Sequence, residues 1–129
     1  MINAITHVSI FVENQDEALK FYTEKLGFVV HRDTTFGGMR WLTLNATGQD
    51  NFCLVLSLPT NQEDKALIGK QAGSSPLLCL ETNDIEKDAR EMKEKGVQFV
   101  DTLEEHSWGK SITLKDLYGN QLYLVQPPR

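Results

Sequence analysis

Long apolar runs are missing from this chain, and so are blocks of positive charge. No uninterrupted hydrophobic stretch approaches the roughly 20 residues that a membrane-spanning helix needs. The opening residues, MINAITHVSI, carry no basic segment ahead of an apolar one. A cytoplasmic protein without a membrane anchor is therefore the expectation. No run of Lys or Arg exceeds two residues and the formal net charge is -5, which excludes the basic footprint of a nucleic-acid or anionic-membrane binder. Cysteine is equally scarce. Cys53 and Cys79 fall inside apolar strand patterns and not in CxxC spacing, so both are expected as buried reduced thiols, outside any disulfide framework or zinc knuckle. A hydrophobic fraction of 40% in 129 residues fits one globular domain.

Hydrophobic periodicity divides the chain. Residues 5 to 12, ITHVSIFV, alternate as a strand, and NQDEALKFYTEKLG then switches to a helical period with Asn14 or Asp16 as cap and Gly27 as stop. Three strands follow, FVVHRDTT, GMRWLTLNA and NFCLVLSL, separated by turn signals at FGG and TGQD, and Pro59 closes the last. Residues 60–75 are polar and contain Gly and Ser, as a linker with one helical turn would. The same order then returns: PLLCLETN as a strand, DIEKDAREMKEKG as a helix between Asp84 and Gly96, then VQFVDT, KSITLKD and QLYLVQ as strands before Pro127. The second Gly stop and the second Pro stop follow the first by about 69 residues, so one β-α-β-β-β unit occurs twice. The expected organisation is a single domain, 1–129, made of modules 1–59 and 76–129 joined by linker 60–75.

Alternation assigns the side chains of each strand to two faces. Val8, Ile10 and Val12 are uniformly apolar and belong under a helix, with Leu42 and Leu44 and with Phe52, Leu54, Leu56 and Leu58. That leaves His7, Ser9 and Phe11, Trp41 and Thr43, and Cys53, Val55 and Ser57 on the opposite face. In the second copy Leu77, Cys79 and Glu81, Ser111 and Thr113, and Tyr123 and Val125 remain on that face. A face mixing apolar, hydroxyl and aromatic groups suits a partly enclosed ligand cavity; a dimer face or a second core is the alternative. His31 and His106 are expected as solvated histidines, and the EEHSWGKS loop, with Trp108, as a possible cover of the cavity.

The repeat, the strand-borne His7, FYTEKLGF at the end of the first helix and LKDLYGNQLYLVQP at the C-terminus together resemble the vicinal oxygen chelate superfamily, which includes glyoxalase I, bleomycin-resistance proteins and extradiol dioxygenases. The resemblance implies an α+β fold of two βαβββ modules in a curved mixed sheet around a cavity, one helix on the outer face of each. It also implies that metal-dependent members hold a divalent ion with ligands from the first, fourth, fifth and eighth strands. Here those positions match His7, Val55, Leu77 and Tyr123. Leu and Val have no donor atom, and a phenol of pKa near 10 is a poor ligand at neutral pH.

The resulting expectation is a binding module without the usual metal site and without a cofactor. It would sequester or carry a small apolar or aromatic molecule on Phe11, Trp41, Thr43, Cys53, Val55, Ser57, Leu77, Cys79, Trp108, Thr113 and Tyr123. The alternative is a metal-dependent glyoxalase-like lyase or isomerase, or a dioxygenase, using His7 with other ligands; His7, Cys53, Cys79 and Glu81 form one legitimate zinc set. A third reading makes His7 a metal-free general base with Tyr123 as proton donor. A homodimer is expected, because a four-stranded module leaves edges and a mixed face uncovered.

Overall fold

The computed structural model describes residues 1–128. Two compact units make up the chain, one running from Met1 to Ile68 and the other beginning at Gly69. The first holds β1 (His7–Phe11), α1 (Gln15–Lys20), β2 (Val29–Phe36), β3 (Met39–Asn45), β4 (Cys53–Ser57) and one short helix, α2 (Gln62–Lys65). The second holds β5 (Leu78–Glu81), α3 (Ile85–Glu94), β6 (Glu104–His106), β7 (Gly109–Lys115) and β8 (Gln121–Gln126). The sheets have the orders β1-β4-β3-β2 and β5-β8-β7-β6. In each, the first strand lies parallel to the last and the other pairings are antiparallel. The fold is therefore α+β, a βαβββ unit present twice.

Local chemistry explains the helix ends. The Asn14 side chain accepts the Glu17 N–H at 2.9 Å, and Asp84 accepts that of Lys87 at 3.2 Å, each satisfying a first-turn donor that has no partner inside the helix. After Lys20 the helix widens into a π-helical turn, Phe21–Lys25. There Tyr22, fully buried, meets Phe21 edge-on at 5.5 Å and Phe28 at 5.8 Å. Gly27, at φ 82°, lets the chain double back so that Phe28 reaches Tyr22. The FYTEKLGF pattern is thus a helix stop held by an aromatic cluster.

The helix-facing sides carry the core. Ile10, Val12, Ala18, Leu42, Leu44 and Leu56 are fully buried in the first unit, and Ile85, Leu114 and Leu122 in the second. Leu58, expected on this side, is 50% exposed because β4 ends at Ser57. Arg40 ties the helix side together at its edge. Its guanidinium donates to both Asp33 oxygens at 2.9 Å and to Asp16 of α1 at 2.6 Å. This hydrogen bonding holds the Asp33 carboxyl below the usual carboxylate range and keeps Arg40 firmly protonated. Lys110 repeats the device in the second unit, 2.5 Å from Glu86 of α3.

One strand lies elsewhere than expected. The sixth strand was expected within VQFVDT, residues 97–102, but β6 is Glu104–His106. Residues 98–101 do approach β7: Val100 N–H donates to Thr113 at 2.8 Å and Lys115 N–H to Gln98 at 2.9 Å. The Asp101 carboxylate then takes the Thr113 N–H at 2.7 Å. A side chain occupies the place of a backbone carbonyl, so the ladder breaks and resumes at Glu104 opposite Ser111.

The DLYGN turn before β8 is also built on a carboxylate. One Asp116 oxygen accepts the N–H groups of Tyr118 and Asn120, both at 2.9 Å, and the other accepts the Asn120 side-chain amide at 2.8 Å. Both residues are buried, at 6% and 3% exposure. Asp116→Ala would leave these donors without an acceptor, so chemical denaturation should show a loss of at least about 1–3 kcal/mol. A loss within experimental error would mean that water replaces the carboxylate.

Candidate functional site

The face of each sheet that has no helix against it is the candidate site, and register fixes its membership. In the first unit, parallel pairing sets His7 opposite Cys53, Ser9 opposite Val55 and Phe11 opposite Ser57. Antiparallel pairing sets Thr43 opposite Val55. Opposed residues share a face, so these seven residues and Trp41, two positions from Thr43, lie together away from α1. The His7 and Trp41 rings confirm it: their centroids are 5.7 Å apart at 55°. They belong to β1 and β3, on either side of β4, so they meet over the open side of β4.

β2 supplies three further residues to this face, His31, Arg32 and Thr34. Its register shifts between Val30 and Arg32, which pair with Leu44 and Thr43, leaving His31 as the extra residue of a β-bulge. The bulge turns His31 toward Thr43, with Nδ1 3.3 Å from the hydroxyl. Arg32, opposite Thr43, shares that face, and Thr34 lies opposite Trp41. His31 is exposed, as expected of a solvated histidine, and the bulge adds its approach to Thr43. The only trace in the sequence is the broken alternation at VVHR.

This face has a covered floor and an accessible rim. Thr43, Cys53 and Val55 are buried, at 0, 3 and 5% exposure. Phe11, Trp41 and Ser57 are half-buried, and His7, Ser9, His31 and Arg32 are exposed. His7 Nδ1 lies 2.9 Å from the Thr6 hydroxyl, so its hydroxyl partner is the residue beside it in the chain. Burial, with a smaller contribution from Asp50, pushes the Cys53 thiol up, which keeps it protonated.

In the second unit Tyr123 lies opposite both Cys79 and Thr113. Tyr123 and Leu77 are half-buried and Thr113 is buried. Cys79 is exposed, contrary to expectation, because β5 is an edge strand and only its helix-facing residues are covered. His106 ends β6, where its ring stacks on Trp108 at 4.7 Å and 7°, and its Nε2 lies 2.9 Å from the Ser111 hydroxyl. It is therefore half-buried and bonded, correcting its assignment as a solvated histidine. Glu104 approaches the same nitrogen at 3.6 Å. A hydrolytic triad needs the carboxylate on the other ring nitrogen, so this trio is not one. A cavity of about 290 Å³ opens beside it, lined by His106, Gly109, Lys110, Gln126 and Pro127 among others.

A divalent metal does not fit the donor set. Of the four positions that the superfamily's metal enzymes use, only His7 carries a competent donor. Among the described residues no three His, Cys, Asp or Glu side chains gather as metal ligands would.

Two βαβββ modules, each with one helix-covered and one open face, define a class of protein. A family model, the Glyoxalase/Bleomycin resistance protein/Dioxygenase superfamily, matches residues 4–124, and the chain belongs to that superfamily. The Bacillus subtilis protein YurT is 36% identical over 127 residues, covering 95% of this chain and 98% of its own. Among solved structures, UcmS2 matches with a TM-score of 0.85 at 32% identity, over 97% of this chain and 98% of that one. TnmS3, an antibiotic binding protein from Streptomyces sp. CB03234, matches with a TM-score of 0.80 at 29% identity, over 98% of each chain.

The two thiols provide a check on the faces. Iodoacetamide applied to the native protein should alkylate exposed Cys79 well before buried, protonated Cys53, as peptide mass spectrometry would read. Equal rates would contradict the burial of the β4 floor.

Proposed function

We propose that this protein binds a small organic molecule, with the open face of the first unit as its principal surface, and that it acts by sequestering or carrying that molecule. The observation that carries this reading is the His7–Trp41 pair above a buried floor of Thr43, Cys53 and Val55. An indole held half-exposed offers a planar stacking surface, and the hydroxyls and imidazoles around it offer oriented hydrogen bonds. Superfamily membership and the likeness to TnmS3 support a binding or resistance-like role, and an antibiotic-sized aromatic molecule suits the surface. In the second unit Leu77, Cys79, Thr113, Tyr123 and Trp108 are the proposed contributors. A metal-dependent lyase or oxygenase is disfavoured by the donor set. Acid–base catalysis by His7 and Tyr123 is disfavoured because the His7 contact that would orient the imidazole is a neighbouring hydroxyl, not a carboxylate.

Adjacent residues of β3 separate binding from folding. Trp41→Ala should weaken ligand binding, read by calorimetry against a panel of planar aromatic compounds, while leaving most of the stability. Leu42 is fully buried, so Leu42→Ala should cost on the order of 2–5 kcal/mol. The converse result, with Trp41→Ala the worse folding mutant and binding untouched, would refute the assignment of the binding face.

We also propose a homodimer. The outer strands β1 and β2 end the first sheet, and Val29, Val30, Phe36 and Met39 are exposed, at 43 to 59%, an apolar edge of the kind that pairing covers. Sedimentation at micromolar concentration should give twice the chain mass of 14.6 kDa; a clean monomer would refute it.

A further inference from the structure

The charges on the open face of the first unit point to a ligand class. The strands β1 to β4 contain a single carboxylate, Asp33. It lies on the helix side, bonded through both oxygens to Arg40. The opposite face carries no carboxylate from its own strands and presents three nitrogen bases, His7, His31 and Arg32. This occurs in a chain whose net charge is -5, so the face departs from the character of the whole. The second unit differs: its strands carry Glu81, Glu104 and Glu105 as well as Lys110 and Lys115.

Arg32 is the informative residue. The other strand arginine of this unit, Arg40, is held by two carboxylates, whereas Arg32 makes no hydrogen bond or ion pair among the described residues. The bulge places His31 beside it on the same face, with Nδ1 toward Thr43, and Trp41 lies on the adjacent strand. Asp50, in the loop between β3 and β4, contributes to the raised Cys53 thiol. A guanidinium presents a planar fork of donors that matches a carboxylate, and an indole next to it presents a planar stacking surface.

We propose that the ligand of this face is a planar aromatic molecule bearing an anionic group, a carboxylate or an acidic phenol, with Arg32 binding the anion, His31 donating beside it and Trp41 stacking on the ring. The inference rests on the small-molecule binding reading and adds the charge of the ligand to it.

Three naphthalene probes at neutral pH test it by calorimetry: 2-naphthoate, the neutral 2-naphthamide and the cationic 2-naphthylmethylamine. Wild-type protein should bind naphthoate roughly two- to fivefold more tightly than naphthamide, the range expected of a solvent-accessible charge pair, and the amine most weakly. Arg32→Gln, at an exposed position, should remove that preference while leaving naphthamide affinity and the melting temperature in place, and Arg32→Lys should restore part of it. Trp41→Ala should weaken naphthoate and naphthamide alike. Equal binding of naphthoate and naphthamide by the wild type, or a preference that survives in Arg32→Gln, overturns the anionic-ligand inference while the binding reading stands. Failure of all three probes to bind overturns both.

Discussion

Each sheet of this protein has one helix to cover it, and a sheet has two faces. A strand sends successive side chains to opposite sides, so covering one face with α1 or α3 leaves the other to be dealt with by composition. The chain meets that constraint with opposite solutions on the two sides. Ile10, Leu42, Leu44 and Leu56 disappear completely beneath the helix of the first unit. The other side carries histidines, hydroxyls, an indole and a thiol, groups that tolerate water and can bind something in its place. The open face is the remainder left by core formation, and that makes it available for function.

Polar groups at the edges keep the two faces from exchanging roles. A shift of one residue would carry Leu42 outward and Trp41 inward. Arg40, between Asp16 on the helix and Asp33 on β2, fixes β3 in the register that buries its leucines, and Lys110 with Glu86 does the same for β7. Exposed ion pairs contribute little stability each. Their value here is geometric, since a register slip would break every one of them and strip the core at the same time.

Chemistry within the superfamily has to be read from the residues, because the fold supports many activities. In this chain the donor positions of the metal enzymes hold His7, Val55, Leu77 and Tyr123. One imidazole and three groups of little or no affinity for zinc make a poor metal set, and that is the chemical ground on which the proposed binding of an organic ligand stands. Electrostatics refine the picture: with Asp33 and Arg40 turned to the helix side, Arg32 is the one side chain of fixed charge that the open face of the first sheet presents from its strands.

Much of this was legible in the sequence, because it depends on local and periodic signals. The two copies, the cap at Asp84, the first cap to within the pair Asn14 and Asp16, the Gly27 turn and the burial of Leu42 beside a half-exposed Trp41 all follow from spacing and side-chain chemistry that act within a few residues. The superfamily followed from the same patterns. Tertiary structure alone decided the rest. The His31 bulge depends on how β2 meets β3, and the displacement of β6 depends on the Asp101 carboxylate reaching an N–H on another strand. The exposure of Cys79 depends on which strand forms the edge of its sheet. Alternation within a strand says which residues share a side; it does not say where a partner strand inserts an extra residue, where a side chain replaces a backbone acceptor, or which strand has no neighbour, since each of those is a property of a pair of segments distant in the chain.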